Sequence, residues 1–225
     1  DLTLSSANSP VALFPFIESG ATVRNLNLAN VNITGTGSLI FLGTLAGENR
    51  GTISNVHILS GTVAGGSQTG VVAGGLVAKN EGLIENSSSA ANVSVGANSI
   101  VGGFAGLNGG TILLSTSSGA VTATSESYLG GFAGVNLGTI QSSTALASVS
   151  GTGNHDIIGG FVGANFGSID GSSSAGTASG STNSAVGGFA GANARFINFP
   201  AGSIPGSSFP VGTITNSTAT GAASA

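Results

Sequence analysis

The sequence predicts an all-β protein: a parallel β-solenoid, or β-helix, of about seven coils with a period of roughly 28 residues. Three observations support this prediction. One Gly-rich block recurs along the chain, its Asn returns at nearly constant spacing, and apolar residues occupy equivalent positions in every copy. In a β-helix each coil is hydrogen-bonded to its neighbours about 4.8 Å away, so like side chains stack. Crossover chirality favours a right-handed coil.

The block reads Gly-Gly-Phe-Ala-Gly-x-Asn-x-Gly-Thr-Ile, and it occurs almost unaltered at residues 102–112 and 130–140. Variants of it occupy residues 43–53, 74–84 and 159–169. Its Asn recurs at a spacing of roughly 28 to 31 residues, which is typical of a stacked repeat. The positions are Asn49, Asn80, Asn108, Asn136, Asn165 and Asn193. We expect these side chains to form an internal amide ladder that also bonds to corner backbone groups.

Apolar columns complete the predicted ladder. The first contains Leu45, Leu76, Phe104, Phe132, Phe161 and Phe189, and the second contains Ile53, Ile84, Ile112, Ile140, Ile169 and Ile214, preceded by Val23. A third column, of Val63, Val93, Val121 and Val149, ends the coils. In a further column, Leu26 and Val56 give way to Ser87, Ser115, Ser143 and Ser172, which predicts a narrow interior there.

Glycine placement excludes helices, because an interior Gly costs about 1 kcal/mol relative to Ala and each unit carries several. We interpret the fixed glycines as corners that need positive φ or as places where backbones approach closely. The whole chain, 1–225, is predicted to be one solenoid domain. Within it, 1–38 form a degenerate or capping coil, 39–193 the regular repeats, 194–211 a loop insertion and 212–225 the last partial coil.

Composition excludes several functions. Lys and Arg number 4 against 8 Asp and Glu, so no basic patch exists for nucleic acid or for an anionic membrane surface. The absence of Cys rules out disulfides and thiolate metal sites. No apolar run approaches the roughly 18 residues that a membrane span needs, so we expect no membrane insertion in this segment. The first residues lack a signal-peptide layout, and we interpret the chain as a mature or excised segment.

Candidate chemistry is sparse. Glu85 and Asp170 share a column but lie three coils apart, about 14 Å, which is too far for a glycosidase carboxylate pair. Neither His57 nor His155 has a second His at metal-ligand spacing, and the adjacent Asp156 gives only a His-Asp turn without a nucleophile motif.

The remaining charged residues, Glu48, Glu81, Lys79 and Arg50, are interpreted as a solvated cluster. Candidate outward residues Ser117, Ala145 and Ser174 vary in type, which disfavours a regular ice-binding array. The repeat also lacks the Asp residues of calcium-binding rolls. We therefore predict no catalytic, cofactor-binding or metal-binding residues, and no cofactor.

The blocks GGFAGLNGGTI and GGFAGVNLGTI resemble the GLUG repeat of bacterial surface proteins, including filamentous-haemagglutinin-like adhesins and the stalks of IgA-specific metallopeptidases. This resemblance covers residues 39–193 and implies a large exported protein, secreted or at the cell surface, in which the array is a spacer, display or adhesive region. It supplies no catalytic residues, because the motif consists of corner and core formers. Thr44, Lys79 and Leu83 depart from the pattern.

The leading hypothesis is a non-enzymatic structural or adhesive segment that forms a rigid stalk and a surface for binding or self-association. Expected partners are host or bacterial surface glycans or proteins, or another copy of the chain through the solenoid ends or faces. Two alternatives stay open: a carbohydrate-binding, carbohydrate-active or ice-binding β-helix, and a subunit of an extracellular fibre.

Overall fold

The computed structural model describes residues 2–193 and 211–225, and within them every regular element is a β-strand that pairs in parallel with the coil above or below. The strands stack as a β-solenoid of about seven coils, which confirms the predicted fold class. Of the predicted loop insertion 194–211, only Val211 lies within the described residues.

The first strand precedes coil 1, and the first two coils are built mainly from long strands. They are β1 (Leu2–Ser6), β2 (Phe14–Ile17), β3 (Thr22–Leu28), β4 (Val31–Gly35), β5 (Phe41–Gly43), β6 (Ala46–Asn49) and the 13-residue β7 (Thr52–Ala64). Coil 3 contains β8 (Val72–Gly74), β9 (Val77–Asn80), β10 (Leu83–Glu85) and β11 (Ser88–Ser94).

Each later coil contains five short strands. Coil 4 has β12 (Ile100–Gly102), β13 (Ala105–Asn108), β14 (Thr111–Leu113), β15 (Thr116–Ser117) and β16 (Val121–Ala123). Coil 5 has β17 (Tyr128–Gly130), β18 (Ala133–Asn136), β19 (Thr139–Gln141), β20 (Thr144–Ala145) and β21 (Val149–Gly151). Coil 6 has β22 (Ile157–Gly159), β23 (Val162–Asn165), β24 (Ser168–Asp170), β25 (Ser173–Ser174) and β26 (Ala178–Ser179). Coil 7 has β27 (Ala185–Gly187), β28 (Ala190–Asn193), β29 (Thr213–Thr215), β30 (Thr218–Ala219) and β31 (Ala223–Ser224).

Three sheets run the length of the described stack. A six-stranded sheet contains β5, β8, β12, β17, β22 and β27, and a seven-stranded sheet contains β2, β6, β9, β13, β18, β23 and β28. The other 18 strands form the long sheet, which bends within each coil. Strand register places equivalent residues of successive copies side by side, as in the rung Ile84↔Ile112↔Ile140. The copies of the block are therefore rungs of one stack.

The interior has two main apolar cores. One contains the Phe and Ile columns, between the seven-stranded sheet and the long sheet, and the other contains the Val column and faces the six-stranded sheet. Between the cores the walls touch, since Ser117 Oγ donates to the Gly131 carbonyl at 2.6 Å. A third, smaller cluster, which includes Ile100 and Val135, packs the six-stranded sheet against the seven-stranded sheet.

The narrow contact between the two cores, where Ser117 meets Gly131, is called the waist, and it corrects two expectations. Ser117, Ala145 and Ser174 point inward and are buried, rather than outward, because only small side chains fit against the opposing Gly column. The narrow interior was assigned from the column of Ser87 and Ser115, which instead lies at a corner, two residues before the waist.

The intervals between successive Asn residues of the block differ because single coils contain extra residues. The 31-residue interval after Asn49 contains one extra residue at a bulge between Ile58 and Gly61, and two more in the turn that follows β7. The 29-residue interval after Asn136 contains one extra residue in the corner 152–156, between β21 and β22. Insertions therefore fall at bulges and corners, while the rungs stay in register.

The block glycines are needed for close approach and not for positive φ. A Cβ on Gly102 would overlap the Ala105 carbonyl oxygen, and one on Gly134 would lie 2.7 Å from the Val101 nitrogen. Positive φ occurs mainly at two corner columns, where most of the residues that adopt it are Asn or another non-Gly residue. Asn tolerates this conformation better than other side chains, so the corners can dispense with Gly.

Candidate functional site

The Asn column forms a continuous ladder that is buried from Asn49 to Asn165. The side-chain amide of each Asn donates to the Oδ1 of the next, at 2.8 Å from Asn49 to Asn80 and at 3.0 Å from Asn165 to Asn193. Each amide also contacts the carbonyl two residues ahead in its own corner, as Asn108 does with Gly110 at 3.3 Å. A buried amide needs such partners, because leaving it unpaired costs about 1–3 kcal/mol. The column therefore acts as a structural tie between coils.

The Phe column lies beside it. Rings of Phe104, Phe132, Phe161 and Phe189 stack with centroids 4.7, 4.9 and 4.8 Å apart and with planes within 10° of parallel. The rung spacing imposes this separation, which lies within the range that favours aromatic pairs. These rings are fully buried up to Phe161, so they pack the core and are inaccessible to a ligand.

Two corner ladders of Ser close the coils. At the first corner, Ser115 Oγ accepts the Ser87 N–H at 3.3 Å and donates to the Leu113 carbonyl at 2.8 Å. At the second corner, Ser127 Oγ accepts the Ser99 N–H at 3.1 Å and donates to the Ser125 carbonyl at 3.2 Å. Each hydroxyl thus satisfies one group of the preceding coil and one of its own.

Charged side chains gather at one place on the N-terminal coils. Glu48 Oε1 lies 3.1 Å from Arg50 Nη2 and 3.4 Å from Lys79 Nζ. Lys79 Nζ also contacts Glu81 Oε1 at 2.6 Å, and Arg50 Nη1 contacts Glu18 Oε2 at 3.4 Å. The Glu48 side chain is only 7% exposed, whereas those of Glu18 and Glu81 are open to solvent.

The acids and bases of this cluster stabilise one another's charged forms. The nearby charge of Glu48 raises the pKa of Arg50, against a smaller opposing effect of burial. For Lys79, burial lowers the pKa, but the hydrogen bond to Glu81 and the charges of Glu48 and Glu81 outweigh it, so the pKa is raised. Both bases are therefore held as cations by the carboxylates, as in a structural ion-pair network.

Glu85 and Asp170 lie on the long sheet with two rungs between them, occupied by Leu113 and Gln141. Asp170 Oδ1 accepts hydrogen bonds from Thr215 Oγ1 at 2.7 Å and Asn216 Nδ2 at 2.8 Å, and the first of these bonds lowers its pKa most.

Between these two acids lies an open depression of about 210 Å³, lined by Leu113, Leu114, Gln141 and Ser142. Its floor is a pair of exposed corner residues in the left-handed region: Leu114 has φ +50° and Ser142 has φ +50°. The depression offers apolar and amide groups, but the acids stay too far apart to act as a hydrolytic pair.

His57 is held by Ser88 Oγ at 2.9 Å and Asn55 Oδ1 at 3.0 Å, which are surface hydrogen bonds without a second imidazole. Across residues 2–193 and 211–225, no group of three or more His, Cys, Asp or Glu side chains could hold a metal ion. The same stretches contain no helix long and apolar enough to cross a membrane.

Asp156 is the residue whose environment the sequence interpretation missed. It stands in the second corner ladder, in the series Ser99, Ser127, Asp156, Ser184, and its Oδ1 accepts the Ser127 N–H at 2.9 Å. Burial raises its pKa to about 6, although the amides of Ser127 and Gly153 and the charge of His155 lower it. This series repeats at the same spacing as the last four Asn residues of the block, which was a readable signal in the sequence.

Comparison with known protein families finds no match, and comparison with curated protein sequences finds none either. Among solved structures, the chain is similar to the crystal structure of a protein from Bacteroides ovatus described as a "putative immunoglobulin A1 protease". The TM-score is 0.66 at 20% identity, and the match covers 99% of this chain and 65% of that one. This likeness shows a shared fold, and the chain spans less than two thirds of its neighbour's length.

Proposed function

We propose that this chain is a non-enzymatic structural and adhesive segment of a secreted or cell-surface bacterial protein, where it forms a rigid stalk and presents a surface for binding or self-association. The observation that carries the proposal is the continuity of the internal ladders: the Asn column ties successive coils together from coil 2 to coil 7, and the stacked Phe rings do so from coil 4 to coil 7. Such a stack transmits load along its axis through every rung.

Three further features support this role. The acids and bases of the N-terminal cluster are paired with one another, and Glu85 and Asp170 are separated by whole coils, so neither group forms a catalytic constellation. The neighbour's description as a "putative immunoglobulin A1 protease" supports an extracellular setting, because antibodies are secreted proteins. The repeat's resemblance to the GLUG arrays of bacterial stalks and adhesins supports the same setting.

A second candidate function is carbohydrate binding, and the depression beside Leu114 and Gln141 favours it. A sugar could rest its apolar face on the Leu side chain while Gln141 bonds to a hydroxyl. The test below separates this candidate from the leading one.

The test uses the purified chain coupled to beads. We expect coated beads to adhere to bacterial or host-cell surfaces or to one another, and the soluble chain to release no product from polysaccharides or from immunoglobulin A1. Turnover of either substrate, lost in Glu48→Gln or Glu81→Gln, would overturn the non-enzymatic proposal. Adhesion that free oligosaccharide inhibits and Gln141→Ala abolishes would favour carbohydrate binding. Sedimentation over a range of concentrations separates fibre formation, which gives open-ended growth, from a stable monomer.

A further inference from the structure

Asp156 takes the place of a Ser in a ladder whose members each make two hydrogen bonds. Ser99 and Ser127 accept an N–H from the preceding coil and donate their hydroxyl to the carbonyl two residues earlier in their own chain. Asp156 Oδ1 accepts the Ser127 N–H at 2.9 Å, and its own N–H donates to Ser184 Oγ at 3.2 Å. The carboxyl group thus supplies the acceptor half of the Ser role.

Asp156 can also donate a hydrogen bond, as the serines do, only when its carboxyl group is protonated. Asp156 is 1% exposed, and its Oδ2 is buried without a hydrogen-bond partner. A neutral carboxylic acid carries one O–H donor, whereas a carboxylate only accepts. The protonated side chain can therefore donate as the serines do, for which the equivalent acceptor is the carbonyl of Asn154. The ionised side chain is a buried charge that the Ser127 and Gly153 amides compensate only in part, which is costly.

The surrounding charges are few. Glu126 lies on the equivalent corner of the coil before, where its carboxylate opposes ionisation of Asp156, and His155 lies on the same corner, where its positive form favours it. The corner of the following coil, 180–184, contains no ionisable side chain. Tyr128 begins the neighbouring strand, and burial raises its pKa to about 12, so it stays neutral in this range. Burial is therefore the dominant influence on Asp156.

We propose that protonation of the Asp156 carboxyl group controls how tightly this corner of the solenoid is held. With the proton bound, the corner 152–156 closes as a Ser corner does; with the proton lost, the corner loosens. The folded solenoid is therefore more stable in mild acid than at neutral pH. This corner contains one residue more than the corner one coil earlier.

The direction of the pH effect follows from linkage. The folded-state pKa of about 6 lies above the ordinary value of 3.8, so the unfolded chain ionises first as the pH rises. The contribution of Asp156 is complete below about pH 4, declines between about pH 4 and pH 6, and is absent above pH 6. The corresponding loss in the folding equilibrium constant is up to about 100-fold, tenfold for each unit of pKa difference.

The experiment compares the chain with its Asp156→Asn and Asp156→Ser variants in denaturant titrations between pH 4.5 and pH 8. Asn is neutral and keeps a donor, and Ser is the ladder's usual residue. We expect the parent chain to lose stability relative to both variants as the pH rises to about 6, and protease cleavage within 152–156 to increase in the parent alone. Asp170→Asn is the matched control: the pKa of this exposed acid is lowered, so its contribution is lost toward acid pH instead.

An unchanged difference between parent and variants across the range would overturn the proposal. So would a side-chain carboxyl NMR signal of Asp156 that titrates below pH 5. That titration is measured on the parent chain, so it decides the question even if one variant fails to fold.

Discussion

The first two coils and the last four close their corners by different means. In coils 1 and 2 the corner positions are aliphatic, with Leu26 and Val56 at one corner and Ile40 and Val71 at the other. From coil 3 onward the same positions carry hydroxyl or carboxyl groups that bond to the neighbouring coils. Coil 3 is the transition, because Ser87 Oγ accepts the Val56 N–H at 3.1 Å.

The difference shows that one backbone path tolerates two kinds of corner. An aliphatic corner gains about 1.5–3 kcal/mol from burying a Val, Leu or Ile side chain. A Ser corner gains less from burial but satisfies a backbone N–H and a carbonyl, each at about 1 kcal/mol. The aliphatic version is found beside long strands such as β7, and the Ser version where the long sheet breaks into short strands.

The largest effect is expected in the Phe column, which replaces Leu45 and Leu76 of the earlier coils. Phe132→Ala should destabilise the chain by about 3–5 kcal/mol, because it leaves a cavity between two stacked rings. Phe132→Leu, which copies the earlier coils, should cost clearly less. Chemical denaturation measures both, and equal losses would mean that the Leu of the earlier coils cannot take the place of a ring in the later ones.

A loss of roughly 3 kcal/mol is expected for Asn108→Leu, since the Asn80 amide loses its acceptor and the Asn136 carbonyl loses its donor, both buried. Coil 1 carries Ile17 in this column, and there the free Oδ1 of Asn49 is satisfied by the Gly51 N–H at 3.2 Å. Asn49→Leu is the matched comparison and should cost a similar amount, because Asn80 Oδ1 loses its donor and the buried Gly51 N–H loses its acceptor. A much smaller loss for Asn49→Leu than for Asn108→Leu, in the same unfolding assay, would contradict this account of the ladder's end.

Transplanting an aliphatic corner into the Ser region should cost about 2 kcal/mol, with apolar burial offsetting part of the lost hydrogen bonding. In Ser115→Val, the buried Ser87 N–H loses its acceptor, while the Leu113 carbonyl loses one of its two donors and keeps the Asn86 N–H. Thermal unfolding at neutral pH measures the change, with Thr116→Val on the outer face as control. No destabilisation would mean that the two corner types are interchangeable.

The smallest effect has the opposite sign. Leu114 is 59% exposed and adopts φ +50°, at a corner where Asn86 and Asn216 stand in other coils. Leu114→Asn should stabilise the chain by about 1 kcal/mol, because Asn adopts the left-handed conformation at lower cost and little packing is lost. Differential scanning calorimetry would detect the rise in Tm; a fall would show that the exposed Leu side chain makes contacts that support the corner.

Much of the fold could be predicted because like residues recur at a fixed interval. The period of the block, its glycines and its Ile and Phe positions predict a parallel β-solenoid of about seven coils, which the strand pairing confirms. The direction of individual side chains near corners was harder to predict. Ser117 and Ala145 were assigned outward because small and polar residues suit either a surface or a tight waist, and only the opposing Gly131 decides between them.

The environment of Asp156 escaped sequence interpretation for a related reason. Read alone, the turn Gly153-Asn154-His155-Asp156 has the composition of an exposed loop. Burial of the carboxyl group depends on its alignment with Ser127 and Ser184 in the neighbouring coils, which becomes visible only when the corner residues are compared at the spacing of the block Asn residues. Irregular spacing at a corner is therefore a place to look for functional side chains in such repeats.

The most direct test of the account is intramolecular cross-linking, which a chain without Cys makes clean. Thr111 and Thr139 face one another in adjacent coils, so their Cα atoms should lie about 4.8 Å apart, within disulfide range. We predict that Thr111→Cys with Thr139→Cys forms an internal disulfide on mild oxidation. The offset pair Thr111→Cys with Gln141→Cys, at about 8 Å, should not. Equal cross-linking of both pairs, or of neither, would contradict the stacking of equivalent residues in successive copies of the block.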